Sequence, residues 1–301
     1  MKKVAVITRT QNRPILLRRA MQSVLDQTFK DFTWVVVNDA GDKESVEQIV
    51  SLARESGIDA QHLYRPKSSG MEAASNHGVL SSSSEYLVIH DDDDSWDPSF
   101  LNQTVTFLDN NLAYSGVVSQ SIRVDEEVTS SDVIILNRSP YRPSLMSIQM
   151  SDMLLENQFP PISFLFRRSL YDEVGGFNEK LPVLGDWDFH LKALLNSDLG
   201  VIPAPLANYH FRTLSATAQK NDAYGNSLTS SVDKHIEYDA KFRNQMFRDD
   251  VANNVLGLGT MLVTSRQLMM LDKKLSAAEL RAQKFKRALS RIPFAKKLLS
   301  S

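Results

Sequence analysis

Residues Tyr86 to Pro98 read Tyr-Leu-Val-Ile-His-Asp-Asp-Asp-Asp-Ser-Trp-Asp-Pro, an apolar run short enough for a buried strand that empties into four consecutive carboxylates. Adjacent acids at the end of a buried strand repel one another and are pushed toward the neutral form unless positive charge sits among them. In an open α/β sheet, ligands gather at the carboxyl ends of strands, so a divalent cation holding a phosphorylated substrate is an economical source of that charge. A solvated acidic turn explains the same run, as it does most runs of like charge.

The residues before this run predict a sheet that would deliver it to a cleft. Val4 to Ile7 reads as a buried strand, Thr8 to Arg13 as a polar loop, and Pro14 as the first residue of a helix marked by Leu17, Ala20, Met21, Val24 and Leu25. Thr33 to Val37 is a second strand ending in Asn38-Asp39-Ala40-Gly41-Asp42, followed by a helix over Glu44 to Glu55. Gln61 to Tyr64 is a third strand, leading through the loop Arg65 to Gly70 into a helix ending near Val79. Tyr86 to Ile89 is the fourth. Strand-then-helix units in series argue a mostly parallel sheet with right-handed crossovers. Their polar carboxyl ends, Thr8 and Arg9, Asn38 and Asp39, Arg65, and Asp91 to Asp94, then converge on one crevice.

Composition narrows the partners. The 301 residues carry a formal net charge of -2, which argues against nucleic acid as the main partner. The absence of cysteine rules out disulfides and thiolate metal sites and permits a reducing cytoplasm. The start, Met-Lys-Lys-Val-Ala-Val-Ile, resembles a signal n-region, but its apolar run breaks at Thr8-Arg9. No stretch approaches the roughly 18 apolar residues a membrane span needs, so membrane contact would be peripheral, at the inner face of the cell membrane.

Beyond Leu112 the pattern loosens into strands such as Ser115 to Val124 and Val133 to Leu136. Ser169 to Val174 predicts a short helix. Leu184 to Leu195 predicts another, with Trp187, Leu191 and Leu194 or Leu195 on its buried face and Asp186 at its amino end, where a carboxylate is often only a cap. Asp188 is expected to face solvent or brace a loop. After Thr213 the sheet signals stop. Leu268, Leu271, Leu275, Ala278, Ala282, Phe285, Leu289 and Ile292 form a heptad seam, broken at Pro293, that fits self-association and packing on its own domain equally well. Lys284, Lys286, Arg287, Arg291, Lys296 and Lys297 make this end basic; docking on an anionic membrane and a solvated helix end both explain that charge. The expected organisation is a domain over 1–215, with a nucleotide-binding half (1–112) and an acceptor half (113–215), and a helical extension over 216–301.

Several segments resemble the family 2 glycosyltransferases, nucleotide-sugar enzymes of the GT-A fold. They are Val4-Ala-Val-Ile-Thr-Arg-Thr-Gln-Asn-Arg-Pro14 with Ser23-Val-Leu-Asp-Gln-Thr-Phe-Lys-Asp-Phe32, Val37-Asn-Asp-Ala-Gly-Asp42, Glu85 to Trp96, and Val174-Gly-Gly-Phe-Asn-Glu179 with Gly185-Asp-Trp-Asp188. The resemblance runs from about Val4 to Thr213, with the motifs in order. It implies an α/β GT-A domain and an inverting, metal-dependent transfer of sugar from a UDP or dTDP donor to a hydroxyl of a surface polysaccharide, glycoconjugate or lipid-linked glycan.

It also implies roles. Asp39 would accept a hydrogen bond from the pyrimidine imide, and Thr8, Thr10 and Arg13 would line the base and ribose pocket. Arg65 and Gly70 would border the nucleotide. Asp91 would contact ribose or metal-bound water, and Asp93 would ligate Mn2+ or Mg2+ on the diphosphate. Asp186 would be the catalytic base. Two departures stand out. Members usually carry an acid where this chain has Gly185, which keeps Asp188 as a second base candidate. They also commonly place a histidine where Arg212 falls, with His210 two residues early; Arg212 would then touch the diphosphate and His210 would be a metal ligand or an ordinary packed histidine. From other classes, a non-catalytic cation-binding module and a degenerate transferase-like scaffold acting through its C-terminal helices compete with the enzyme reading.

Overall fold

A computed structural model describes residues 1–128, 133–212, 232–253, 255 and 258–289. The first half alternates as the sequence predicts: β1 (Val4–Thr10), α1 (Pro14–Leu25), β2 (Phe32–Asp39), α2 (Lys43–Glu55), β3 (Asp59–Arg65), α3 (Met71–Leu80) and β4 (Tyr86–Ile89). β3, β2, β1 and β4 lie side by side and parallel, with Val4 opposite Phe32 and Tyr86. The core here is aliphatic and aromatic, with Val4, Val6, Leu17, Val36, Ile49 and Phe100 all buried. Burying each such side chain stabilises the fold by about 1.5–3 kcal/mol.

The second half continues with β5 (Ser95–Trp96), α4 (Phe100–Asn110), β6 (Gly116–Val128), β7 (Val133–Tyr141), α5 (Met150–Leu155), β8 (Phe164–Arg167), α6 (Arg168–Val174), α7 (Gly185–Asn196) and β9 (Leu199–Arg212). The sheet runs β3-β2-β1-β4-β8-β6-β9-β5, with β7 pairing off β6. β8 is antiparallel to both β4 and β6, so β6 and β9 share the direction of the first four strands and the sheet is mostly parallel.

Two local features aim the site. β1 continues past Ile7 because Thr8, Arg9 and Thr10 pair with Val36, Val37 and Asn38. Gly78 lets α3 lie directly on the sheet, since a Cβ there would overlap Ile7 and stand 3.0 Å from Val37. That contact sets the amino end of α3 beside the end of β1.

The chain divides into two compact units, Met1–Tyr238 and Asp239–Ser301. The expected boundary at 215 lies outside the described residues. Later come α8 (Val232–Ala252) and α9 (Leu258–Leu289). At 32 residues α9 is about 48 Å long. Along the predicted seam Leu268, Leu271 and Leu275 are more than half exposed. The side chains of Phe285 and Leu289, and everything from Ile292 on, lie outside the described residues. No described helix is long and apolar enough to cross a membrane.

Candidate active site

The acid run leaves β4 in a tight turn, closed by the Asp94 N–H donating to the Asp91 carbonyl at 3.2 Å. β5 follows at once and pairs with β9, so the turn is tied to the far end of the sheet. The four carboxylates have separate environments. Asp91 accepts from Arg9 Nε at 2.7 Å and Nη2 at 3.3 Å. Asp92 is buried on the Thr10 hydroxyl at 2.7 Å and Arg13 at 3.2 Å. Asp93 pairs with Arg13 and, more closely, with Arg212. Asp94 is buried and accepts the His210 backbone N–H at 2.8 Å. Arg19 donates to the Asp93 carbonyl.

The positive charge that the acid run requires is therefore drawn from the chain, as arginines of β1, α1 and β9. Burial pushes Asp93 up, but Arg212 and Arg13 outweigh it and hold the carboxyl well below the usual range. Asp92 is pushed up to about 6 by burial, with Arg13 opposing. Burial and the neighbouring acids lift Asp94 well above its ordinary value.

This turn forms one wall of a cleft of about 310 Å³, and Thr10, Arg13, Asp39, Gly70, Asp91, Asp93 and Asp186 all line it. Acids far apart in sequence thus share a single cavity. Asp39, at the end of β2, accepts from the Ser68 hydroxyl at 2.6 Å and the Gly70 N–H at 3.3 Å. Its buried Oδ1 takes no hydrogen bond, although Arg65 Nη1 stands 3.3 Å away.

Other expected residues sit elsewhere. Thr8 faces the core, fully buried, with its hydroxyl accepting the Trp34 indole N–H at 2.8 Å; because β1 runs on to Thr10, Thr8 lies within the sheet and short of the strand end that lines the cleft. Arg65 braces Asp39 and does not line the cleft. Arg212 is buried between Asp93 and Glu126 and does not line the cleft. His210 is buried, with Nδ1 2.6 Å from Glu126 and Nε2 2.9 Å from the Ser95 hydroxyl; both ring nitrogens have protein partners, as a packed histidine requires. Asp188 does not face solvent. It is buried and paired with Lys192 at 2.6 Å, one helical turn on and away from the cleft.

Asp186 lies in the first turn of α7, after Leu184, whose backbone is left-handed at φ 67. It accepts from Asn157 Nδ2 at 2.8 Å, and Asn157 Oδ1 is held 3.0 Å from His190 Nδ1. Burial lifts the Asp186 carboxyl above its ordinary value, with the Trp187 N–H and Arg9 working against it. Sequence reasoning missed Glu72, which also lines the cleft and which burial pushes up to about 7. An acid in the first turn of a helix reads as ordinary dipole complementarity, so nothing in its position singled it out. Asn157, in an irregular segment, carried no signal at all.

Oxygens of Asp91, Asp93 and Asp94 lie within 4.8 Å of one another, close enough to hold a hard cation. Residues 5–175 match the glycosyl transferase family 2, more than half of the chain. The chain belongs to that family. A relative from Bacillus subtilis, the uncharacterized glycosyltransferase YwdF, is 28% identical over 211 residues, covering 69% of this chain and 74% of that protein. Among solved structures, Staphylococcus aureus TarS 1-349 in complex with UDP-GlcNAc superposes with a TM-score of 0.56 at 19% identity, over 70% of this chain and 59% of that one. The mannosyltransferase PcManGT from Pyrobaculum calidifontis, in complex with GDP-Man and Mn2+, gives 0.54 at 18%, over 69% and 56%. At such identities these likenesses establish the GT-A fold. The protein is a glycosyltransferase of that fold.

Proposed function

We propose that this glycosyltransferase moves a sugar from a uridine or thymidine diphosphate donor to a hydroxyl of a surface polysaccharide or glycoconjugate, with inversion at the anomeric carbon. The observation that carries the proposal is the shared cleft, in which Asp39, Asp91, Asp93 and Asp186 face one volume. TarS in complex with UDP-GlcNAc supports a nucleotide-sugar donor. The hydrogen-bond-free Oδ1 of Asp39 suits the imide N–H of a pyrimidine, and Thr10 and Arg13 line the adjoining wall.

Asp93 with Asp91 would hold Mn2+ or Mg2+, which when bound supplies Lewis-acid assistance to the departing diphosphate. The carboxylate set suits such a cation, and the Mn2+ of PcManGT supports the reading. His210 stays out of the ligand set because its ring is spent on Glu126 and Ser95. Asp186 takes the proton of the acceptor hydroxyl as that oxygen bonds to the anomeric carbon and the bond from carbon to the diphosphate oxygen breaks. Burial raises the Asp186 pKa, which makes it a stronger base than a free carboxylate. A single displacement inverts configuration. The enzyme would act in the cytoplasm, docked at the inner membrane face on lipid-linked glycan.

Thermal melts with UDP, dTDP and GDP in the presence of Mn2+ test the donor side. A pyrimidine diphosphate should raise Tm. Asp186→Asn should keep that rise and lose transfer, and Asp93→Ala should lose both. No shift with any nucleotide would overturn the proposal in favour of a scaffold, and full transfer by Asp186→Asn would remove Asp186 as the base.

A further inference from the structure

Gly185, immediately before Asp186, is pressed against a side chain from another helix. A Cβ built on Gly185 would overlap the carboxyl group of Glu72, which reaches over from the first turn of α3. The space that a side chain at position 185 would fill is therefore already taken by a carboxylate. Glu72 is buried there, its side chain only 5% exposed.

Its partner is Arg9 at the end of β1, a cation with all three of its nitrogens engaged. Nε and Nη2 grip the two oxygens of Asp91 at 2.7 and 3.3 Å. Nη1 donates to Glu72 Oε2 at 3.3 Å and to the Ser75 hydroxyl at 3.0 Å. Arg9 is also close enough to Asp186 to lower its basicity. A guanidinium with only Asp91 as its counter-charge would be drawn toward the next carboxylate along the cleft wall, because Coulomb attraction is strong in a site this buried.

We infer that Glu72 is a positioning residue of the transfer reaction: from α3 it supplies the carboxylate that position 185 lacks, anchors Arg9 over Asp91, and so keeps Arg9 from pairing with Asp186. Its effect falls on the proton-accepting step rather than on donor capture. The inference rests on Asp186 being the base.

The experiment follows release of nucleoside diphosphate from a panel of UDP-, dTDP- and GDP-sugars, with water or a glycan as acceptor, taking the sugar nucleotide the wild type uses fastest. Glu72→Gln keeps the shape and removes the charge; kcat should fall at least about tenfold while donor KM moves less than about threefold. Gly185→Glu alone forces two carboxyls into one space and should lower both Tm and turnover. The double variant Glu72→Ala/Gly185→Glu returns one carboxylate to that space from the other helix, and should recover at least about tenfold in kcat over Glu72→Ala. A side chain that merely filled volume would be replaced by Gln without loss.

Wild-type kcat in Glu72→Gln overturns the inference, as does a change confined to donor KM. So does a double variant that melts like the wild type yet is no faster than Glu72→Ala. Asp186→Asn, run alongside, separates the two possible failures: if it retains turnover, the base assignment fails and the inference with it. If it is dead while Glu72→Gln is unimpaired, the inference alone fails.

Discussion

Asn157 uses both ends of its amide, donating to Asp186 through Nδ2 and accepting from His190 through Oδ1. The chain of contacts requires His190 to carry a proton on Nδ1, and burial against Phe159 keeps the ring neutral, with its pKa lowered to about 3. Truncation to Asn157→Ala frees the Asp186 carboxylate to rotate, and kcat should fall about tenfold, close to 1.4 kcal/mol, with donor-induced stabilisation retained. The depressed pKa has a stability consequence with a fixed sign. The unfolded chain takes up a proton at His190 below about pH 6.5 and the folded chain does not, so wild-type stability is lost as pH falls from 6.5 toward 3. His190→Gln lacks that loss. Denaturant melts should show the difference between wild type and variant moving in the variant's favour by about 2 kcal/mol from pH 7 to pH 5. Single residues were legible where their chemistry is unusual, as in the acid run. They were misread where a strand runs further than its apolar core, as for Thr8, or where an ion pair within one helix hides a charge, as for Asp188 and Lys192.

The first four strands and the helices between them were legible because β1, β2 and β4 carry unbroken apolar runs, α1 and α2 repeat at helical spacing, and the more polar β3 and α3 fall in the same alternation. The later elements depend on pairing rather than pattern. β5 is two residues long and exists because Ser95 and Trp96 pair with Asn208 and Ala207 of β9. β8 is apolar enough to be read as strand or helix until its antiparallel partners β4 and β6 are known. Local backbone conformation gives a test at this scale. Ala40, directly after β2 and Asp39, adopts a left-handed conformation at φ 64, which glycine reaches without a Cβ penalty. Ala40→Gly should raise unfolding stability by about 0.5–1 kcal/mol in urea melts and leave nucleotide-induced stabilisation unchanged.

Across the whole molecule, the exposed leucines of α9 are the feature that the catalytic reading leaves unused. With Leu268, Leu275 and Ala282 as one seam row and Leu271 and Ala278 as the other, Lys274 would face Glu279 of a second copy in a parallel pair. Removing the chain after Thr264 should therefore reduce the number of chains per particle found by light scattering; an unchanged number would retire self-association through this helix. The arginines around the acid run bear on the molecule as a whole in another way. Because Arg9, Arg13 and Arg212 already balance Asp91 and Asp93, the fold does not need a metal to hold its acids together. Prolonged treatment with a chelator should leave Tm within about 1 °C of its starting value. The cation proposed for Asp91 and Asp93 would then serve turnover alone, and its supply would limit activity without limiting how much folded protein a cell holds.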